Sequence, residues 1–411
     1  MIGVSAHLPV SPADAPLREL IDACVMCGLC LPHCPTYRLA GNEAESPRGR
    51  IALAAGLIDG TITADAAVLP HLDHCLGCLS CQAVCPSQVR YDDILVATRA
   101  RLDALRPPSR LRRALRDPRL LTRMARLAGL AQASSWLPKL ANLFPARSPL
   151  RRLAQVQPAV PAALRLPALP APATKRSRIA LLRGCVASVH DRDTLQAARY
   201  LLEALGHDVV ETSGGECCGA LPRHAGDIAG AARVAGETRQ MLETSGADVV
   251  LTCASGCHGD LRDQVRPQGM RVADALAFLV DDANWPTLRF RALDKRAALH
   301  LPCTQVNVVG DTGKIRDALA CIPGLSIVDL PQQPRCCGAA GSYFIENPGI
   351  ADALRDEKLA QTAALEPDLL LTTNIGCRIH LGNGLRDGTS PPLDVMHPLA
   401  LLARQLDNAP P

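Results

Sequence analysis

The chain has 411 residues, 48% hydrophobic and 2% aromatic, with 44 Lys and Arg against 40 Asp and Glu for a net charge of +4. That length suits two or three domains, and the near-neutral balance with few aromatic rings argues against a nucleic-acid partner. With no bilayer-length apolar run and no signal-peptide pattern, the 18 cysteines read as reduced thiols for metal binding or catalysis rather than as disulfides.

In chain order, the first cysteines form two runs, Cys24, Cys27, Cys30, Cys34 and Cys75, Cys78, Cys81, Cys85. Both read C-x2-C-x2-C-x3-C-P, the bacterial ferredoxin pattern, in which the fourth cysteine of each run serves the other cluster. Cys24, Cys27, Cys30 and Cys85 are therefore the expected ligands of one [4Fe–4S] cluster, and Cys75, Cys78, Cys81 and Cys34 of the second. Zinc is the competing reading, but zinc sites favour paired knuckles over two triplets with an offset fourth thiol. His33 and His74 flank these ligands and read as partly exposed loop residues with a weak tuning effect.

Residues 99–152 carry 13 Arg and one Lys against Asp103 and Asp117. Leu120, Met124, Leu127 and Ala131 fall on one helical face there, with Arg119, Arg123 and Arg126 on another. A basic amphipathic helix of this kind either packs on its own domain or docks on a partner or an anionic membrane. The Pro/Ala tract 157–173 reads as a stiff interdomain linker.

The back half repeats itself. Cys185 to Cys303 is 118 residues, Cys217 to Cys336 is 119 and Cys257 to Cys377 is 120, and both copies carry Cys-Cys-Gly. One register across three offsets signals two homologous domains. In the first copy, strands are predicted at Ile179–Leu182, Asp208–Glu211 and Asp248–Thr252, with helices at Thr194–Leu205 and Ile228–Thr244. In the second, strands are predicted at Ala297–Leu301, Ser326–Leu330 and Asp368–Thr372, with helices at Lys314–Ala320 and Gly349–Ala364. Alternating strands and helices imply parallel sheets in βαβ units, whose ligands gather at the carboxyl ends of the strands. Cys185, Cys217, Cys218, Cys257, Cys303, Cys336, Cys337 and Cys377 fall at those ends and are candidate ligands of further metal sites. Cys253 has Thr373 opposite it in the second copy. Cys321 has no counterpart and reads as a small buried hydrophobe. The adjacent thiols also admit a redox-active dithiol, for which His258 and His380 would have to lie close. The expected fold is an N-terminal helical ferredoxin-like two-cluster domain (1–105), a basic helical segment and linker (106–175), and two βαβ cysteine-rich domains (176–292 and 293–411).

No dinucleotide-binding or P-loop glycine motif is present, so no hydride-accepting or phosphate-binding site is expected, and no catalytic residue is assigned. The segment C-V-M-C-G-L-C-L-P-H-C-P-T-Y, then S-P-R-G-R-I (Ser46–Ile51), then H-L-D-H-C-L-G-C-L-S-C (His71–Cys81) resembles the iron–sulfur subunit of glycolate oxidase. So do C-A-S-G-C, C-C-G-A-A-G-S-Y (Cys336–Tyr343) and T-N-I-G-C-R-I-H-L (Thr373–Leu381). The resemblance implies an electron-transfer subunit beside two FAD-binding flavoproteins, passing electrons from a 2-hydroxy acid toward membrane quinone. It also implies a cytoplasmic location, with peripheral docking on the inner membrane. Two [4Fe–4S] clusters are implied, with a further cluster in the Cys-Cys-Gly domains as the open question. The same domain combination occurs in lactate-utilisation, anaerobic glycerol-3-phosphate dehydrogenase and heterodisulfide-reductase subunits, which stand as the alternative. In relatives with full five-cysteine motifs each Cys-Cys-Gly domain can bind a non-cubane [4Fe–4S] cluster that does disulfide chemistry. This chain departs from them by an x3 spacing in the first copy and a missing cysteine in the second. A thiol-rich scaffold without redox turnover is the reading from a different class.

Overall fold

The computed structural model describes residues 14–103, 117, 119–120, 123, 161–169, 176–212, 217–266, 269–332, 335–386 and 393–407. An N-terminal helical ferredoxin-like domain is followed by two parallel-sheet domains, as the residue pattern predicts.

In the N-terminal domain, helices Ala15–Asp22, Pro47–Ile58 and Tyr91–Asp103 enclose the two cysteine loops. Ser46 starts the central helix by accepting a hydrogen bond from Gly49 N at 2.9 Å, and Pro47 occupies the first turn, where no amide donor is needed. Ile21, Ile51, Ala54, Ile94 and Leu95 bury together with Cys75 and Cys81, so the apolar core of this domain is built directly around thiols.

The first sheet comprises β1 (Arg178–Leu181), β2 (Asp208–Glu211), β3 (Val249–Thr252) and β4 (Arg271–Asp274), in the order β2-β1-β3-β4. The second comprises β5 (Lys295–His300), β6 (Leu325–Asp329), β7 (Leu369–Thr372) and β8 (Asp394–Met396), ordered β6-β5-β7-β8. Every strand pairing within these sheets is parallel. The six predicted strands and four predicted helices are present with ends displaced by at most two residues. The edge strands β4 and β8 were not predicted, because two or three apolar residues in a row leave no readable alternation. Each leads into a side-chain cap: Asp274 accepts from Leu276 N and Ala277 N at 3.0 Å, and His397 Nδ1 accepts from Leu399 N at 3.0 Å.

Successive residues of a strand face opposite sides of the sheet, and here the two sides differ. Ile179, Leu181, Leu251, Ala297, Leu299 and Leu371 point into one core shared by both domains. That core is completed by helices Arg192–Ala204 and Ala275–Val280 of the first copy and Thr312–Ala320 and Pro398–Gln405 of the second. The other face of each sheet is covered separately, by Leu242 and Leu261 in the first copy and by Leu359 and Leu381 in the second. The described part of the Pro/Ala tract, 161–169, has no regular structure, but it is not a free spacer. Leu164, Leu166 and Leu169 pack against the shared core, and Leu164 N donates to Gln196 Oε1 at 2.9 Å. The proposed basic helix lies largely outside the described residues; within them, Arg119 pairs with Glu237 at 3.1 Å.

Candidate metal centres

The two ferredoxin loops share one backbone design. Met26 and Gly28 in the first loop, and Gly77 and Leu79 in the second, adopt positive φ at matching positions after the first and second cysteine. Left-handed residues between ordinary ones turn successive amides toward one side and form an anion-binding concavity of the kind found at iron–sulfur sites. The loops therefore fit a cluster carrying negative charge. Cys34 lies within electrostatic reach of both Cys78 and Cys81, beside Cys75, while Cys24, Cys30 and Cys85 pack against the same apolar core. Cys34 thus sits with the three thiols of the other run. Burial holds the Cys78 and Cys81 thiols well above their ordinary range, so their thiolates need a positive partner.

S-P-R-G-R-I acquires a physical meaning here. Arg48 reaches over the first loop and donates to Met26 O at 3.0 Å while pairing with Glu43 at 2.6 Å. Gly49 runs so close to the Glu43 carbonyl that any side chain would collide with it. Arg50, 2% exposed, donates to Glu45 O and Glu45 Oε2, both at 2.6 Å, and approaches Cys34 Sγ at 3.8 Å. Burial disfavours its charge, yet Cys75, Tyr91, Cys34 and Glu45 around it keep the guanidinium firmly protonated. Burial likewise opposes ionisation of Glu45, but His74, His71 and Arg50 outweigh it and hold the carboxylate below its usual range. His74, read as a loop residue, thus bonds Glu45 Oε1 through Nδ1 at 2.7 Å, and His71 does the same at 2.6 Å. His33 is exposed. Spacing rules could not have found Arg50 and Glu45, because their partners come from three segments.

In each cysteine-rich domain the same four thiols converge. Cys185, Cys217, Cys218 and Cys257 form a chain of side-chain contacts in the first. Cys303, Cys336, Cys337 and Cys377 form one in the second, with Cys337 and Cys377 sulfurs 2.9 Å apart. The glycine of each motif is required. Gly219 and Gly338 have φ of +86° and +89° and aim their amides at the first cysteine sulfur of the motif at 3.4 Å. Both sites open on a cavity of about 420 Å³ between the two copies and the second ferredoxin loop, lined also by Cys75, Leu76 and Tyr343. The position is the carboxyl end of the sheet where strand order reverses, as expected for a doubly wound sheet.

Cys253 does not join its quartet. It keeps the strand parity of Leu251 and faces the shared core, where it is 3% exposed. Cys321 was expected to be buried and is instead exposed, because the helix Thr312–Ala320 ends before it and its sulfur only reaches Asp317 O at 3.4 Å. His258 and His380 are buried within helices, and His380 Nε2 lies 3.0 Å from Ala351 O, so neither belongs to a converging ligand group among the described residues. His300 carries no strong motif signal, yet its ring lies beside Cys337 and Cys377, and burial lowers its pKa to about 3. The H-x2-C spacing to Cys303 was the available signal.

The domains are tied together close to these sites. Arg99 of the ferredoxin domain donates to His224 O at 2.8 Å and Cys75 O at 2.7 Å. Asn307 Nδ2 donates to Cys78 O at 2.8 Å, and Tyr343 Oη to His74 O at 3.0 Å. Arg378 of the second copy bridges Asp191 and Asp193 of the first, at 2.5 and 2.7 Å.

Residues 20–89 match the model of a 4Fe-4S dicluster domain, and residues 179–262 and 297–382 each match that of a cysteine-rich domain. The chain is 32% identical to the glycolate oxidase iron-sulfur subunit of Escherichia coli (strain K12), covering 90% of this chain and 91% of that one. It is 30% identical to the probable glycolate oxidase iron-sulfur subunit of Bacillus subtilis (strain 168), covering 93% of each. Lactate utilization protein A of Bacillus licheniformis is 25% identical over 54% of this chain and 96% of its own. Among solved structures, Picrophilus torridus aspartate racemase aligns over 56% of this chain and 91% of its own at 13% identity, with a TM-score of 0.28, which is too slight to inform fold or function.

Proposed function

We propose, from the premise that this chain belongs to the glycolate oxidase iron–sulfur subunit family and so is an iron–sulfur electron-transfer subunit of an oxidoreductase, that it serves a flavin-dependent glycolate dehydrogenase. In this reading it takes electrons from two FAD-bearing partner subunits and passes them toward membrane quinone. Cys24, Cys27, Cys30 and Cys85 hold one [4Fe–4S] cluster, and Cys75, Cys78, Cys81 and Cys34 the other. When bound, such clusters accept and return single electrons.

The observation that carries the reading is the unequal exposure of the two loops. Cys27 is exposed, and Val25, Met26 and Leu29 beside it are 68%, 46% and 58% exposed, an apolar rim of the kind that a partner covers. The second loop is covered by the second cysteine-rich domain through Asn307 and Tyr343. The chain's own residues thus offer one loop to a partner and keep the other from solvent. No helix among the described residues is long and apolar enough to cross a membrane. The basic segment 99–152 is the membrane-docking element in this proposal, and deleting 110–147 is expected to release the complex from membranes.

The test is anaerobic co-purification with the flavoprotein partners, followed by addition of glycolate or D-lactate. About eight irons per chain and substrate-driven bleaching of cluster absorbance are expected. Flavin reduction by either acid with unchanged cluster absorbance and EPR spectrum would overturn the assignment. Bleaching by D-lactate alone would move the substrate to the lactate-utilisation alternative.

A further inference from the structure

The two cysteine-rich domains share a plan but not a donor set. In β5, Ala297 and Leu299 face the shared core while Ala298 faces the other side, so His300 falls on the face that carries Cys337 and Cys377. Strand register puts Leu182 at the matching place in the first copy: Ile179 pairs with Val209 and Val249 as Ala297 pairs with Ile327 and Leu369. One domain therefore buries an apolar side chain where the other buries an imidazole.

His300 is 1% exposed, and neither Nδ1 nor Nε2 has a hydrogen-bond partner. A buried imidazole with both nitrogens unmet is costly unless something absent from the protein chain meets one of them. A ring nitrogen and the sulfurs of Cys337 and Cys377 all lie within 4.8 Å of one another. Ligands on one tetrahedral zinc, with Zn–S of about 2.3 Å and Zn–N of about 2.0 Å, stand roughly 3.5–3.8 Å apart. Thiolates that bind separate irons of a cubane are spread more widely, and no three of the eight ferredoxin cysteines converge in this way. Among the described residues one other group converges, Glu45 with His71 and His74, but both ring nitrogens already hydrogen-bond Glu45 Oε1 and Arg50 holds Oε2. The next thiol beside the His300 group is Cys336, which contacts Cys337 and receives the Gly338 amide at 3.4 Å. Cys303 lies one step further along the chain of contacts.

We propose that the second cysteine-rich domain binds a single zinc-type ion through His300, Cys336, Cys337 and Cys377, whereas the quartet of the first domain offers sulfur alone. This assignment is independent of glycolate as substrate, and its readout is zinc rather than iron.

The experiment uses the full chain purified anaerobically with its clusters. Zinc and iron are counted by mass spectrometry, and the zinc X-ray absorption edge is analysed for scatterers. One zinc per chain with three sulfurs and one nitrogen is the expected result. His300→Leu installs the residue that the first copy already accommodates, and it should weaken zinc binding at least tenfold in competition with a chelator while iron stays constant. Cys377→Ser should also lose the ion, whereas Cys303→Ser should keep it with the same scatterers. Zinc with four sulfurs and no nitrogen overturns the proposal. So does retention of zinc by His300→Leu, which would mark the metal as adventitious, or a zinc-free chain with iron clearly above eight.

Discussion

Replacing the glycine of each Cys-Cys-Gly motif by alanine tests the geometry of these domains, because the two copies provide an internal control. Both glycines have positive φ, +86° at Gly219 and +89° at Gly338, so each alanine incurs a left-handed strain of about 1–2 kcal/mol. Part of that is offset by about 0.4–1 kcal/mol from the stiffer unfolded chain. The surroundings then separate the two sites. A methyl group at 219 would sit 3.2 Å from Ala231 O, a contact that a small shift relieves. At 338 it would be driven onto the Ala351 carbonyl, 3.0 Å from both its carbon and Cα, and the obstacle is helix backbone that has no rotamer to change. Overpacking of that kind adds about 1–3 kcal/mol. Gly219→Ala is therefore expected to cost about 1 kcal/mol and Gly338→Ala about 3 kcal/mol. Because the two domains share one core, they should unfold together. The difference should then appear as about 4–8 °C between the two melting temperatures. Thermal melts and urea titrations of both variants, with metal content recorded alongside, measure this. Equal losses, or a larger loss at Gly219, would refute the reasoning.

Arg50→Leu leaves buried Glu45 Oε2 and the Glu45 carbonyl without their guanidinium donor, with only His71 and His74 still on Oε1, and loosens Cys34; a stability loss of about 3–5 kcal/mol in the N-terminal domain and release of iron are expected, measured by thermal melting and iron content. Cys253→Ala should leave the metal content unchanged and Cys257→Ser should reduce any metal held by the first quartet, since only Cys257 contacts the other thiols. His397 is pulled from 6.5 to about 3, chiefly by burial, so the folded state keeps it neutral where the unfolded chain takes up a proton. Stability is then complete above pH 6.5 and lost as pH falls toward 3, by about 2 kcal/mol at pH 5. His397→Asn, which keeps a cap acceptor, should remove that share of the slope in urea titrations at pH 7 and 5.

The ferredoxin runs, the 119-residue repeat and the alternation of strand and helix were all legible without a structure, because each is set by local spacing: the offset of the thiols, the constant interval between matching cysteines, and short apolar runs alternating with longer helical stretches. The parity that removes Cys253 from its site was also present in the sequence. It became meaningful only when the structure showed which face of β3 meets the shared core, a choice made by helices from both copies. The edge strands β4 and β8 exist because β3 and β7 template them, and no local pattern encodes such pairing. Arg50, Glu45 and His300 stayed hidden for the same reason. Arg50 and Glu45 lie close in sequence, but Cys34, His71 and His74 around them and the Cys337 and Cys377 sulfurs around His300 come from other segments, and a buried charge or an unpaired ring nitrogen is defined by everything that surrounds it. Spacing along the chain marked which residues are candidate metal ligands, and only the folded contacts showed which of their side chains lie together.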